Sequence, residues 1–486
     1  MAGACALIGT VSCTIQKEQQ KPNIVYILAD DLGYGDVSCL NPESKIQTPA
    51  LDQFAKEGVT FTNALTNSSV CTPTRYGIMT GRYCWRGNLK SQVIEAHEPE
   101  VLERDRETIA SMLQKQGYNT ACIGKWHLGV NFSKIDSTKP LTEGKRWAIK
   151  SSDNMDYSKP VTGGPTYHGF DYGYIIPGSL DMFPHCFIEN GNIQGNIERR
   201  PYGMTKNKNR GLNYRDGDIA EGFKHVDVLG KFTDKATQYI SNMSKKNEPF
   251  FLYFPMTAPH TPWVPSKEFI GKSQAGYYGD FVVMVDAMID KVLKSIDDAG
   301  IRENTIVIVT SDNGSDQLGH ESKKFNHLAN YGRRGRKTEI YDGGSHVPFF
   351  VRWPKSVKAG SFSAEVISTV DLYATVADVL DVKIDKNTAE DSYSFVSVWN
   401  GEKSDQSLRE ATICHSFWGK YAIRKGKWKY IDNKGNFKVT TKKGELYNLE
   451  TDPMESVDLY DKNPEIVKEL YTLLDQYKKS GRSVKR

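Results

Sequence analysis

Short runs of continuously apolar residues recur along the chain and alternate with segments of helical periodicity. A run without polar interruptions is typical of a strand that is buried on both faces of a sheet. Such runs occupy residues 24–29, 120–123, 250–254, 305–309 and 349–351. Because strands and helices alternate, the pattern predicts an α/β fold with helices on the faces of a sheet.

Two segments predict helices with clear boundaries. Thr48 and Pro49 stand in the order expected at a helix N-terminus, and Gly58 is placed to end that helix. Residues 280–299 carry apolar side chains at helical spacing and stop before Gly300. We expect both helices to cover the sheet.

Residues 131–247 interrupt this alternation. The segment is rich in Gly, Pro, Lys and Tyr, has weak periodicity and is far longer than an ordinary connection. Insertions of this kind are usually functional. We therefore predict a long substrate-loop insertion inside a catalytic domain of residues 22–400.

The pattern changes again beyond about residue 402. Short apolar segments at 422–424, 428–431 and 446–449 are joined by turns, which predicts antiparallel strands. Asn463 and Pro464 then begin an amphipathic helix that continues through Tyr477. These elements predict a smaller C-terminal domain, residues 401–486, with an antiparallel sheet and a terminal helix.

Composition excludes several classes of protein. With 486 residues, 38% hydrophobic and 25% charged, the chain is globular and is neither disordered nor fibrous. The 63 Lys and Arg are interspersed with 59 Asp and Glu, so no basic arm indicates nucleic-acid binding. Eight cysteines without a CxxC pair argue against a disulfide scaffold and against a zinc ribbon, and we expect most of them to be buried thiols.

The N-terminal segment is typical of an exported protein. Residues 1–16 carry no charge and are too few to span a bilayer, but they suffice for the core of a signal peptide. The sequence before Cys13 loosely resembles a lipoprotein cleavage site, and residues 17–21 form a polar tether. We predict a periplasmic protein or a lipoprotein at a bacterial cell surface, without an integral membrane span. A disordered N-terminal tail is the alternative.

Acidic side chains follow two of the predicted strands. Asp30 and Asp31 come at the end of the first strand, and Asp312 and Asn313 follow the strand that ends near Val309. Ligands of open α/β sheets lie beyond the carboxyl ends of strands, and adjacent carboxylates repel unless a cation neutralises them. An all-oxygen set favours Ca²⁺ or Mg²⁺ over zinc. A helix cap with a solvated neighbour is the alternative for any isolated Asp-Asp pair.

A second group of candidate catalytic residues surrounds Cys71. Cys71 stands just ahead of Pro73, which suits the first turn of a helix, so its sulfur would lie at the positive helix end. Arg75 lies one turn further on and could return to the same site. A buried structural cysteine is the alternative.

In this setting Cys71-x-Pro73-x-Arg75, followed by Thr80-Gly81-Arg82, resembles the signature of the type I sulfatases. Other motifs of that family follow in the family's order between about residues 22 and 480, and they are 30–36, 124–129, 258–262, 311–314, Lys337 before 342–344, and 445–453. The resemblance implies an alkaline-phosphatase-like fold, with a large mixed sheet flanked by helices. Thr74 and Asp342 depart from the commoner family residues, but neither change removes a reacting group.

The resemblance also implies a mechanism. In that family a maturation enzyme oxidises the signature cysteine, here Cys71, to Cα-formylglycine. The hydrated aldehyde, a gem-diol held on the metal, attacks sulfur and forms a covalent sulfo-enzyme. The implied metal ligands are Asp30, Asp31, Asp312, Asn313 and residue 71.

The remaining roles are implied in the same way. His260 protonates the departing sugar oxygen and Lys337 binds the sulfate oxygens. His127 is the base that releases sulfate, while Lys125 and Arg75 hold charge and orientation around the diol. Lys125, Lys337 and His260 therefore also contact the substrate.

The substrate is the least determined part of the prediction. Asp181 and His185, inside the 131–247 segment, could hydrogen-bond sugar hydroxyls, and Phe183 could offer an aromatic face, although a structural role fits this segment as well. By resemblance to exo-acting bacterial glycan sulfatases we expect a sulfated sugar of galactose or N-acetylgalactosamine type, with the position of the sulfate (3, 4 or 6) left open.

Two other functions remain open at this point. A phosphonate or phosphate monoester hydrolase could share the fold and the formylglycine. A catalytically inactive glycan-binding relative is the non-enzyme alternative, and it would be expected to lack a ligand or the nucleophile.

Overall fold

The computed structural model describes residues 20–145, 148–204, 215–399, 407–433 and 443–485. The predicted leader, including Cys13, lies outside the described residues except for residues 20 and 21 and stays a prediction. The boundary proposed at residues 400 and 401 also lies outside them.

The N-terminal quarter of the chain forms the first elements of the sheet and of the layers around it. Its four strands are β1 (Asn23–Asp30), β2 (Val59–Phe61), β3 (Ala64–Leu65) and β4 (Asn119–Lys125). Its three helices are α1 (Pro49–Glu57), α2 (Cys71–Thr80) and α3 (Ile109–Lys115). The boundaries of α1 agree with the signals of Thr48, Pro49 and Gly58.

The segment 131–247 contains eleven described strands and one long helix. They are β5 (Ser133–Lys134), β6 (Glu143–Lys145), β7 (Ala148–Ser151), β8 (Met155–Asp156), β9 (Tyr172–Ile176), β10 (Ile188–Glu189), β11 (Asn192–Ile193), β12 (Ile197–Glu198), β13 (Gly203–Met204), β14 (Arg215–Asp216), β15 (Ile219–Ala220) and α4 (Val228–Met243).

The next part of the chain completes the sheet. Its elements are β16 (Phe250–Pro259), α5 (Gly276–Asp298), β17 (Thr305–Ser311), α6 (Gly319–Phe325), α7 (Asp342–Ser345), β18 (Phe349–Arg352), β19 (Ser361–Ser363), β20 (Ile367–Ser368), α8 (Leu372–Val379) and α9 (Val396–Trp399). Helix α5 begins four residues before the segment predicted from its periodicity.

Ten strands form one mixed sheet in the order β11-β10-β9-β4-β16-β1-β17-β18-β2-β19. Five neighbouring strands, β9, β4, β16, β1 and β17, are parallel. Helices α4 and α5 pack on β16, and α1 packs on α5. Helices α2, α3 and α8 pack together as a second group. The predicted α/β architecture is confirmed.

The interpretation of 131–247 as one loop insertion needs correction. Strand β9 lies beside β4 inside the main sheet, β10 and β11 extend its edge, and α4 covers β16. The strands were missed because β9 is a mixture of Tyr, Gly and Ile without an apolar run. Whether the rest of the segment binds substrate stays a prediction.

A four-stranded antiparallel sheet and a terminal helix form the C-terminal part, as predicted. The strands are β21 (Thr412–His415), β22 (Tyr421–Lys425), β23 (Trp428–Asp432) and β24 (Gly444–Asn448), in that order, and the helix is α10 (Pro464–Ser480). Helix α10 packs on β22 and β23.

No helix in the described part of the chain is both long enough and apolar enough to cross a membrane. Five of the six described cysteines are buried, and all six are free thiols. The prediction of buried thiols is confirmed for these five, while Cys39 is exposed.

Candidate active site

Four adjacent parallel strands bring the predicted residues to one edge of the sheet. Asp30 ends β1, Lys125 ends β4, His260 follows β16, and Asp312 follows β17. Since β4, β16, β1 and β17 are neighbours, their carboxyl ends converge on one crevice. The order of the strands therefore places residues that are far apart in the sequence at the same edge of the sheet.

Cys71 enters this crevice at the first position of α2. All ten residues of the helix are buried, including Cys71. The hydroxyl of Thr74 donates to the backbone oxygen of Ser68 at 2.9 Å, which fixes the first turn. Gly81 ends the helix in the left-handed conformation (φ 63°) that glycine adopts without strain. Cys71 thus lies at the N-terminus of a fully buried helix.

Two buried lysines pair with the two adjacent aspartates. Lys125 Nζ lies 2.7 Å from Asp30 Oδ2, and Lys337 Nζ lies 2.8 Å from Asp31 Oδ2. Burial opposes ionisation of Asp30, but Lys125, then His260 and Arg75, hold the pKa of this carboxyl below its ordinary value. Burial also disfavours the charged form of Lys337, yet Asp31 raises its pKa above the ordinary value. Each of the two lysines therefore forms an ion pair with one of the two adjacent carboxylates.

Arg75 connects helix α2 with Asp312, which follows β17, and with the end of β4. Its Nε and Nη2 donate to Asp312 Oδ2 at 3.0 and 2.7 Å, and its Nη1 donates to the backbone oxygen of Lys125 at 2.7 Å. Burial and the nearby Asp30 nevertheless raise the pKa of Asp312 to about 7. The two carboxylates repel each other, and a divalent cation bound between them would relieve that repulsion and favour their ionised forms.

The oxygen atoms at this edge fit a hard cation. Asp30, Asp31 and His260 offer ligand atoms that all lie within 4.8 Å of one another. Asp30 Oδ1 and Asn313 Oδ1 are buried and make no hydrogen bond within the described residues. Asn313 instead donates its Nδ2 to Asp31 Oδ1 at 2.7 Å, which leaves its oxygen as an unused ligand. Buried oxygens without a donor are costly unless a ligand takes them.

The two histidines differ in their protonation chemistry. His127 is buried, and its Nε2 lies 2.8 Å from the backbone oxygen of Ile94. Burial and then Lys125 hold the pKa of His127 below its ordinary value, so the ring is neutral. Its Nδ1 is buried and makes no hydrogen bond within the described residues. His260 directs Nδ1 to the backbone oxygen of Thr261 at 2.6 Å, while its Nε2 lies 3.9 Å from Asp31 Oδ2. His260 thus faces the crevice with Nε2.

The family model described as sulfatase matches residues 22–382, which is well over half of the chain. The chain belongs to the sulfatase family. A second family model, described as N-sulphoglucosamine sulphohydrolase, C-terminal, matches residues 335–480.

Individual relatives agree with this assignment. The chain is 32% identical to an N-acetylgalactosamine-6-O-sulfatase of Bacteroides thetaiotaomicron over 97% of each protein. It is 30% identical to the human steryl-sulfatase, covering 80% of this chain and 71% of that protein. A solved structure from work on glycosaminoglycan metabolism by Bacteroides thetaiotaomicron superposes with a TM-score of 0.82 at 30% identity, over 95% of this chain and all of that one. The prediction of a sulfuric ester hydrolase is confirmed.

Within this sulfatase, Asp181 lies beside His260, the predicted proton donor. Its Oδ1 is 3.9 Å from His260 Nδ1, is buried and has no hydrogen-bond partner in the described part of the chain. Burial opposes ionisation of Asp181, but Arg215 and then His260 hold its pKa below the ordinary value. Asp181 is therefore an acceptor at the edge of the crevice.

His185 and Phe183 are placed differently from the sequence expectation. His185 is buried, and its Nε2 lies 2.9 Å from the backbone oxygen of Arg215. The ring therefore supports the backbone at Arg215. Phe183 is buried between His97, stacked at 5.4 Å, and Tyr202. The expected open aromatic face of Phe183 is wrong, because both neighbours cover the ring. A substrate role for His185 stays a prediction.

Sequence reasoning missed Arg215 and Glu95. Arg215 donates from Nη1 to both oxygens of Glu95 at 2.9 and 2.8 Å, and its Nη2 lies 3.0 Å from Asp181 Oδ2. Glu95 and Arg215 are separated by 120 residues, and neither belongs to a motif. A lone Arg or Glu carries no signal in a single sequence, so only the fold could reveal this pair.

Proposed function

We propose that this sulfatase hydrolyses the 6-sulfate of a terminal N-acetylgalactosamine or galactose unit in a sulfated glycan, using formylglycine at position 71. The observation that carries the proposal is the convergence of Lys125, Lys337 and His260 on the carboxylate crevice beside Cys71. The 32% identity to an N-acetylgalactosamine-6-O-sulfatase supports the sugar and the position.

The metal proposed for the crevice is Ca²⁺ or Mg²⁺. Asp30, Asp31, Asp312 and Asn313 would hold it, because their oxygens include the two that have no hydrogen bond. When bound, the cation supplies positive charge next to the sulfate oxygens and lowers the pKa of a hydroxyl ligand. Lys125 and Lys337 would then be relieved of neutralising the aspartates and could bind the sulfate.

Formylglycine supplies a hydrated aldehyde as the nucleophile once a maturation enzyme has formed it from Cys71. The chain's own residues do the rest. Lys125 and Lys337 neutralise the sulfate oxygens, and His260 Nε2 gives a proton to the departing sugar oxygen. His127, neutral and buried, accepts a proton in the second half of the reaction.

Asp181 is proposed to recognise the sugar. Its Oδ1 lacks a donor and lies on the Nδ1 side of His260, so a sugar hydroxyl that donates to it would stand next to the scissile oxygen. Arg215 and Glu95 hold the Asp181 carboxylate in this position. These ion pairs would close the site just beyond the sulfated unit, as an exo-acting enzyme requires.

Release of sulfate from defined sugars tests the substrate. The set comprises the 3-, 4- and 6-sulfates of galactose and N-acetylgalactosamine, the 6-sulfate of N-acetylglucosamine, and an aryl phosphate. We expect the galacto-configured 6-sulfates to be cleaved with the highest kcat/KM. Preference for a gluco-configured sugar or another position would overturn the sugar assignment, and preference for the phosphate would indicate the related phosphate monoester hydrolases.

Two measurements test the nucleophile and the metal. Mass spectrometry of the peptide that contains residue 71 should show a lower mass than cysteine requires in the active protein. Cys71→Ala should abolish sulfate release, and chelation should abolish it until Ca²⁺ or Mg²⁺ is restored. Undiminished turnover of Cys71→Ala would contradict the mechanism.

A further inference from the structure

Two loops at the edge of the sheet carry most of the residues proposed to hold the cation. The β1 loop, residues 31–36, follows β1 and carries Asp31. The β17 loop, residues 312–317, follows β17 and carries Asp312 and Asn313. The two loops are far apart in the sequence, so the spacing of the proposed ligands depends on the contacts that connect the loops.

Tyr278 of helix α5 connects the two loops through its hydroxyl. The side chain is buried, and the hydroxyl donates to Asp36 Oδ2 in the β1 loop. The same oxygen lies 2.8 Å from Ser315 Oγ in the β17 loop. A phenol has one proton to donate, so with that proton on Asp36 the Tyr278 oxygen accepts from Ser315. The hydroxyl therefore bridges the β1 loop and the β17 loop.

In the β1 loop, Asp36 is held by further hydrogen bonds. Its Oδ2 also accepts from Gly33 N at 2.7 Å, within the same loop. Its Oδ1 lies 2.8 Å from His327 Nε2, and His327 Nδ1 accepts from Lys45 N at 3.3 Å. Asp36 is thus a fixed acceptor for Tyr278, and its position sets that of the β1 loop.

In the β17 loop, Ser315 connects the bridge to Lys337. Lys337 N donates to the backbone oxygen of Ser315 at 3.1 Å. Asn330 holds the same residue, since its Oδ1 accepts from Ser315 N at 2.8 Å and its Nδ2 donates to Ser315 O at 3.1 Å. Ser315 also stands two residues after Asn313. It therefore joins a proposed ligand to a lysine proposed to bind sulfate.

The hydroxyl of Tyr278 is not needed to fill the core. The ring packs against Trp263, with the centroids 5.2 Å apart, and a phenylalanine ring would make the same contact. A buried hydroxyl loses its hydration and is tolerated only where hydrogen bonds replace it. Here both replacement bonds go to loops that carry proposed metal ligands. Outer partners of this kind orient the ligands of a metal ion.

We propose that Tyr278 is a positioning residue that fixes the separation of the β1 loop and the β17 loop, and thereby the geometry of the cation site. It acts through Asp36 and Ser315, and not by contact with the cation or the sulfate. The inference rests on the proposed function, because it requires a divalent cation in the crevice. It adds α5 to the elements that determine metal affinity.

Binding of the metal alone to the whole chain tests this role. The protein is freed of divalent cations with a chelator, dialysed, and titrated in a calorimeter with Ca²⁺ and, separately, with Mg²⁺. In Tyr278→Phe we expect the dissociation constant of the cation to rise about tenfold or more, because the loops lose their bridge. The matched control Tyr239→Phe removes a hydroxyl from α4, beside Phe250 at the opposite end of β16, and should bind the cation as the wild type does.

A double-mutant cycle separates the bridge from a general loss of packing. Ser315→Ala removes the other partner of the same hydrogen bond and should also weaken cation binding. If the two side chains act as one bridge, the double variant should bind the cation more tightly than the product of the two single effects predicts. Independent structural damage at the two positions would instead multiply.

The outcomes also separate this inference from the proposed function. Wild-type affinity in Tyr278→Phe, or single effects that multiply in the double variant, would refute the positioning role while sulfate release by the wild type still supports the proposed reaction. A wild-type protein that binds neither Ca²⁺ nor Mg²⁺, and still releases sulfate in the presence of a chelator, would refute the proposed metal and the inference with it.

Discussion

Arg75, Lys125 and Lys337 lie against Asp30, Asp31 and Asp312 in the crevice, so three cations balance three carboxylates. A divalent cation added to this balanced set would give the positive potential that an anionic ester requires. The cluster is compatible with a formal net charge of only +4 for the whole chain. Local arrangement, and not total charge, would thus make the crevice with its proposed cation an anion site.

Two of the predicted site residues have a strained backbone conformation. Asp31 and His127 have positive φ angles of 70° and 52°, which side-chain-bearing residues seldom adopt. Such conformations persist where the surrounding structure fixes them, and they are concentrated at functional sites. Asp31 directly follows β1 and directs its carboxylate to Lys337 in the crevice, while His127 lies two residues after the end of β4.

The role of His260 predicts a dependence on the leaving group. His260→Asn removes the proposed proton donor, so kcat for the sugar sulfate should fall by about 10²–10⁴-fold. An aryl sulfate with a stable phenolate leaving group needs little protonation and should lose much less. Measuring kcat for both substrates decides the role, and equal losses would show that His260 does not act as the acid.

At the scale of elements, β4 and β16 approach each other closely where Lys125 is positioned. Gly124 has φ 139°, and a Cβ there would lie 1.9 Å from the backbone oxygen of Pro255. A side chain at this position has no room, because the obstacle is backbone. The glycine therefore allows β4 to pack closely on β16, and Lys125 reaches across β16 to Asp30 on β1.

Gly124→Ala should consequently destabilise the protein by about 2–5 kcal/mol through overpacking and backbone strain. Displacement of Lys125 should also lower kcat/KM beyond what the folded fraction explains. Urea unfolding and single-substrate kinetics measure the two effects. The control is Gly173→Ala in β9, where the nearest atom is Pro165 Cβ at 3.5 Å, an ordinary contact. An equal effect at both glycines would contradict this explanation.

At the scale of the whole molecule, the C-terminal sheet supports the segment that precedes helix α2. Ser69 N and the hydroxyl of Ser68 both donate to the backbone oxygen of His415, at 2.9 and 2.8 Å. The imidazole of His415 is fully buried, and its Nε2 lies 2.7 Å from the backbone oxygen of Lys90. Loss of this sheet would therefore remove hydrogen bonds from Ser68 and Ser69, directly before α2.

His415 predicts part of the acid sensitivity of the fold. Burial lowers the pKa of His415 to about 4, below the ordinary value near 6.5. The unfolded chain therefore binds this proton at a higher pH, and stability should fall as pH decreases from about 6.5 to about 4, by up to about 3 kcal/mol for this residue. Stability above pH 6.5 should not depend on this titration.

His415→Gln keeps a donor for the Lys90 carbonyl but does not titrate. Urea midpoints at pH 7.5 and 5 should differ less in this variant than in the wild type. The matched control His320→Gln changes an exposed histidine and should leave the pH dependence as it is. An unchanged pH dependence in His415→Gln would refute the assignment.

The sequence by itself determined the α/β class, the central strands and the family, because apolar runs and contiguous motifs are local signals. It also indicated the cysteine proposed as nucleophile, the acidic residues proposed as metal ligands, and the lysines and histidines proposed to act in catalysis, since each lies in or beside a short motif. Asp181 was indicated as well, but without a partner.

Only the tertiary structure decided how these residues meet and which others join them. The order of β4, β16, β1 and β17 brings four strand ends together, and strand order is not encoded in local periodicity. The pairing of Arg215 with Glu95 and Asp181 and the packing of Phe183 against His97 both join residues that are distant in the chain. Such contacts arise from packing and charge pairing across the fold, for which a single sequence carries no local pattern.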